Sequence, residues 1–168
     1  MEFSKFLNSS VKLNIILLIS FSISVNSFIL FPNINNVFYI FFHLTFIYII
    51  FYHYHYYLYV ISLVYGILFD ILLLNYIGAH LITFLSLLVF FVLLKKYLFR
   101  LSSYQIIFTY FTTLIILLLI EQFLANLIHN YKFNMSLFFN FILISLIIFV
   151  PTVFLLTKLD KWNVLLGW

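Results

Sequence analysis

The chain alternates long apolar runs with short polar breaks. Six runs can be delimited, at about 13–31, 37–52, 58–74, 79–94, 104–127 and 137–157. Most reach the ~17–25 residues that a membrane-crossing helix needs. The expected fold is therefore all-α, an integral membrane protein with six transmembrane helices in a single domain over residues 1–168. The shortest runs hold 16 or 17 residues. Either tyrosines at their ends complete the span, or one run is partly re-entrant. The first run follows Lys5 and Lys12 and carries Ser20, Ser24 and Ser27 at i, i+4 and i+7, a small-residue stripe that lets a second helix come close. The same run has the basic start, apolar core and Val25-x-Ser27 pattern of a signal peptide. The 32–36 cluster Pro-Asn-Ile-Asn-Asn predicts a helix-breaking turn. His53-Tyr-His-Tyr-Tyr57 predicts a stretch at headgroup depth. Asn75 to Gly78 predicts a tight turn between the third and fourth runs. Pro151 falls inside the sixth run and predicts a kink or a freed carbonyl.

Composition sharpens this picture. The chain is 67% hydrophobic and 7% charged, against about 45–50% apolar and about 25% charged in soluble domains. Outside the apolar runs no stretch exceeds about a dozen residues, too few to bury a core of their own. The bilayer is thus the first partner. Phe and Tyr are abundant, with 24 and 13 copies, and Ile, Asn and Lys are frequent too. All use AT-rich codons, so the aromatic load follows from an AT-rich, bacterial genome rather than from a ligand cage. Cysteine is absent, which excludes disulfides, thiolate catalysis and cysteine metal sites.

Charge gives orientation. If the start lies inside, six spans place Lys5, Lys12, Lys95, Lys96, Arg100, Lys158 and Lys161 on the cytoplasmic side and only Lys132 outside. This is a strong positive-inside bias. Both termini are then cytoplasmic, with Lys95, Lys96 and Arg100 as the main internal determinants. The net charge of +4 is spread over the ends of apolar runs and is no nucleic-acid footprint.

The candidate chemistry centres on Asp70. A charge near the bilayer centre costs about 2.5–3.5 kcal/mol even on lenient scales, so an intramembrane acid is expected to face protein. The competing reading places Asp70 one helical turn from the break, reaching headgroup water. Ser62, Gly66 and Asp70 recur at i, i+4 and i+8 and define one small, polar helix face. Asp70, His80 and Glu121 all fall toward the outer leaflet. With Gly78 and that face they form the candidate partner-binding or bundle-polar surface; a proton or cation site is the alternative reading. His53-x-His55 has no third ligand beside it, and its i, i+2 spacing splits the rings between helix faces. It is read as two interfacial imidazoles, with His43 and His129 isolated. The segment YGILFD has one glycine and aspartate of an intramembrane aspartyl protease signature but lacks the adjacent glycine and a second membrane aspartate. No nucleophile–base pair, phosphate loop or zinc helix is present. No catalytic activity, cofactor or metal is expected.

The hairpin resembles the rod shape-determining protein MreD family of bacteria. The matching residues are Gly66 and Asp70 in GILFDIL, Leu74, the Ile77-Gly78 turn, and the apolar helix closing on KKYLFRLSSYQ. Pro151 in IFVPTVFLL and Pro32 ahead of the second run match as well, so the similarity reaches nearly the whole chain. The turn departs from the family, with Asn-Tyr-Ile-Gly in place of a Pro-Leu-Gly or Thr-Leu-Gly turn. The resemblance implies a non-catalytic inner-membrane subunit of the cell-elongation complex. Such a subunit binds MreC, connects to RodA, its transpeptidase partner and the MreB filament, and supports lateral peptidoglycan synthesis. The family's fold is similar to the substrate-binding subunits of energy-coupling-factor vitamin transporters. A small-molecule transporter subunit is therefore the second expectation, with Asp70, Asn75, Glu121 and Asn126 as candidate cavity residues.

Overall fold

A computed structural model describes residues 2–26, 32–98, 103–129 and 134–165. Among these residues the chain is all-helical: α1 Glu2–Val25, α2 Pro32–Tyr52, α3 Tyr57–Phe69, a π-turn Asp70–Leu74, α4 Ala79–Leu98, α5 Ser103–His129 and α6 Met135–Leu165. Four stretches are long and apolar enough to cross a membrane, namely Asn33–Tyr52, Tyr57–Leu74, Tyr104–Ile128 and Met135–Leu159. Val11–Val25 and Ala79–Leu94 are shorter apolar helices. Several expected bounds shift. Pro32 opens α2 instead of preceding it, because its missing N–H and fixed φ suit the first helical turn. The 32–36 cluster is therefore helix start, not a turn. The helix of the sixth run continues through the basic tail to Leu165. Ser27, Arg100 and Lys132 lie outside the described residues.

The chain divides into two compact units, Met1–Ile49 with Asn140–Trp168, and Ile50–Phe139. In the first, Leu13, Leu17, Ser20 and Ser24 form a buried stripe along α1. The two hydroxyls donate to carbonyls of their own helix, Ser20 to Ile16 and Leu17, Ser24 to Phe21. The serine stripe thus packs without asking a neighbour for hydrogen bonds. Phe21 of α1 meets Phe42 of α2 at 6.3 Å between ring centroids, and Tyr39 of α2 stacks on Phe141 of α6 at 5.5 Å. Every residue from Phe42 to Ile50 is buried, as expected of a helix apolar on all sides. The polar exceptions are self-satisfied: His43 Nδ1 lies 2.7 Å from the Tyr39 carbonyl, and Thr45 donates to that of Phe41. Pro151 sits inside α6, where its ring removes the hydrogen bond to the carbonyl four residues back.

In the second unit, α3 packs on α4 and α4 on α5. Gly66 sets the first contact. A Cβ there would lie 2.7 Å from the Leu81 Cα, so the two backbones touch at a separation that only glycine permits. The Phe51 ring lies against Phe91 and Tyr110, at 5.4 and 6.0 Å.

Candidate functional site

The site is the turn that joins α3 to α4. On α3, Ser62, Gly66 and Asp70 are all buried, and Ser62 donates to the Leu58 carbonyl at 2.7 Å. At Asp70 the helix widens into the π-turn. The Asn75 N–H bonds back to the Asp70 carbonyl, five residues behind it, and the Tyr76 N–H reaches the same oxygen at 3.3 Å. Asn75 adopts the left-handed conformation, φ 59° and ψ 14°, which asparagine tolerates better than most residues. Gly78 has φ 150°, and a Cβ there would lie 3.2 Å from the Ile128 side chain on α5.

This geometry aims the Asp70 side chain across the turn at the start of α4. Oδ2 accepts from the Gly78 N–H at 2.7 Å and the Leu81 N–H at 3.2 Å. Oδ1 accepts from the His80 N–H and from His80 Nδ1, both at 2.8 Å. A carboxylate only accepts, so the shared imidazole proton sits on Nδ1. The first N–H groups of a helix have no partner within it. Here a preceding helix supplies the cap, and the negative charge lies at the positive end of the α4 dipole. Asp70 is fully buried. His80 is stacked on Phe69 at 5.4 Å with an interplanar angle of 24°, and Phe84 meets its ring at 6.3 Å.

Chemically, the four donors occupy the carboxylate on both oxygens. A metal ion or a transferable proton would have to displace them. The arrangement solvates a buried charge with backbone amides and one imidazole, and it locks a hairpin.

Of the residues singled out in the sequence, Ser62, Gly66, Asp70, Gly78 and His80 therefore converge on one hairpin. Glu121 is buried on α5, seven residues before Ile128 and so on the same helix face, about 10 Å back along the axis. Lys95 and Lys96 belong to the last turns of α4, and their side chains lie outside the described residues, as does that of His129. His53 and His55 fall in the α2–α3 loop, where His55 Nδ1 accepts from the Tyr57 N–H at 3.5 Å. Beside them Tyr54 donates to the Tyr59 hydroxyl. That hydrogen bond, with burial second, pushes Tyr54 up to about 12. Leu81 had no mark in the sequence, yet it supplies both the closest contact with Gly66 and an amide to Asp70.

A cleft of about 250 Å³ opens between α4 and α5, where Thr83, Ser86 and Thr113 stand among larger apolar side chains. Each of these hydroxyls donates to a carbonyl of its own helix. Next to Glu121, the Gln122 Oε1 atom is buried and has no hydrogen-bond partner. Comparison with family models, with curated proteins and with solved structures finds no match to this chain.

Proposed function

We propose that this chain is a non-catalytic membrane subunit of the bacterial cell-elongation complex, of the rod shape-determining MreD type. In this reading it crosses the inner membrane six times with both termini in the cytoplasm, and its fold is similar to that of energy-coupling-factor substrate-binding subunits. It binds MreC and, directly or through it, is linked to RodA, the transpeptidase partner and MreB. Its effect is to support lateral peptidoglycan synthesis and rod shape.

One observation carries the reading. Gly66, Asp70 and Gly78, on which the resemblance rests, are the residues on which the α3–α4 hairpin depends geometrically. A motif whose members each have a backbone task is harder to match by chance than an apolar pattern. With six spans, seven of the eight Lys and Arg would fall on one side, which supports the orientation. The occupied lone pairs of Asp70 support a structural role for it over a catalytic one.

The transporter alternative draws little from the α4–α5 cleft. Its volume of about 250 Å³ is below the ~300–1,000 Å³ of small-molecule sites. Asp70, Asn75, Glu121 and Asn126 do not line it. Co-expression with MreC, purification in detergent and identification of retained partners tests the proposal. MreC is expected to co-purify, and depletion of the chain is expected to turn rods into round cells. A purified chain that retains no MreC, together with rods of normal width after depletion, would reject it.

A further inference from the structure

We infer that the α3–α4 turn, residues 75–78, lies immersed in the membrane and contacts lipid rather than water. Three independent observations converge on this. The first is length. Tyr57–Leu74 is 18 residues and Ala79–Leu94 is 16, which correspond to about 27 Å and 24 Å of helix. The first is at the lower limit for crossing a hydrocarbon core about 30 Å thick, and the second falls short of it. If the opposite ends sit at the interface, marked by the aromatic 53–57 stretch and by Lys95, neither helix has length to spare to carry the turn out into water.

The second is the character of the surface. From Ile71 to Leu94 the chain holds no Lys, Arg, Asp or Glu. Around the turn Asn75 is the one exposed polar residue; the other exposed side chains are apolar or aromatic: Ile71, Leu72 and Leu73 on the π-turn, then Tyr76 and Ile77 at the tip, at 63% and 55% exposure. A turn held in water would present polar side chains in these places, whereas a turn in the interface gains from aromatic and aliphatic contact.

The third is the state of the backbone. Non-helical backbone survives at membrane depth only if its polar groups are satisfied by protein. At least six of the eight N–H groups from Asn75 to Ile82 are so satisfied: Asn75 and Tyr76 by the Asp70 carbonyl, Gly78, His80 and Leu81 by its carboxylate, and Ile82 by the Gly78 carbonyl. Asp70 thus does for this turn what water does for an exposed one. That gives a reason for a charge here, independent of any partner.

The chain contains no cysteine, so single thiols can be placed without a background. Ile77→Cys and Tyr76→Cys proteins would be reacted with a membrane-impermeant maleimide in right-side-out and in inverted vesicles. Each rate is compared with that of the same protein solubilised in detergent. The expected result is a rate at least about tenfold slower in both vesicle types than in detergent, because the reactive thiolate is disfavoured away from water. Lys132→Cys, between α5 and α6 in the sequence and on the same side if α5 crosses the membrane, is expected to react in one vesicle type at close to its detergent rate. Equal vesicle and detergent rates at residue 77 would overturn the inference and place the turn in water. Unreactivity in detergent as well would also overturn it, since protein and not lipid would then cover the position.

Discussion

Replacing Asp70 is the most informative perturbation, because its carboxylate holds four donors at once. Asp70→Asn preserves shape but turns one acceptor oxygen into an NH2 group. Two of the four donors then face another donor. A hydrogen bond to a charged group contributes about 1.5–3 kcal/mol, so two lost bonds correspond to roughly 3–6 kcal/mol before correction. Polar groups of an unfolded chain in detergent also find partners, and measured contributions in membranes run well below the naive figure. About 2–3 kcal/mol is therefore the expected loss for Asp70→Asn. Asp70→Leu strands all four donors and should lose about twice as much. Stability would be read from unfolding in mixed micelles of rising SDS fraction, and local effects from amide hydrogen exchange. Protection should fall at Gly78, His80 and Leu81, and hold at buried amides of α2. An Asp70→Leu protein within about 1 kcal/mol of wild type, with those three amides still protected, would refute the capping argument.

Four further outcomes can be read in the same way. Gly66→Ala forces a methyl against the Leu81 backbone and should cost about 1–3 kcal/mol in the same unfolding assay; an unchanged midpoint would mean the helices are farther apart than described. Gly78→Ala meets both Ile128 and a positive φ, so trimming Ile128 to Val should restore little of its loss, whereas full restoration would show that space and not backbone strain was limiting. His80→Phe keeps the stack on Phe69 and loses the Nδ1 bond to Asp70, for about 1–3 kcal/mol; combined with Asp70→Asn it should cost less than the sum, and strict additivity in that double-mutant cycle would show that the two side chains are not coupled. Gln122→Leu removes a buried oxygen that has no partner and should be neutral or stabilising by SDS unfolding; a loss above about 1 kcal/mol would show that the amide has a hydrogen-bonding task.

How much of this was legible beforehand differs from element to element. The hairpin, its break at 75–78 and the shared face of Ser62, Gly66 and Asp70 could be read from apolar run length and from spacing alone, because helical periodicity is local. The purpose of Asp70 could not. Its reach depends on a π-turn that inserts one residue per turn over Asp70–Leu74, and DILLL carries no composition signal for such a turn. Glu121 was placed with Asp70 on membrane depth alone. Depth leaves the azimuth around each helix open, so it could not foretell that α5 brings Ile128 against Gly78. The helix ends at Pro32 and Leu165 were missed because hydropathy marks where lipid stops, whereas the backbone goes on coiling past that boundary.

The span between Asp70 and its donors has a temporal side as well. Gly78 and Leu81 are only eight and eleven residues downstream, so closing this loop removes little chain entropy. The charge acquires its full set of donors once Leu81 has been synthesised, before any part of α5 exists. A growing chain can therefore hand the bilayer a finished two-helix piece whose one acid is already dressed in amides, and later helices need only assemble around it.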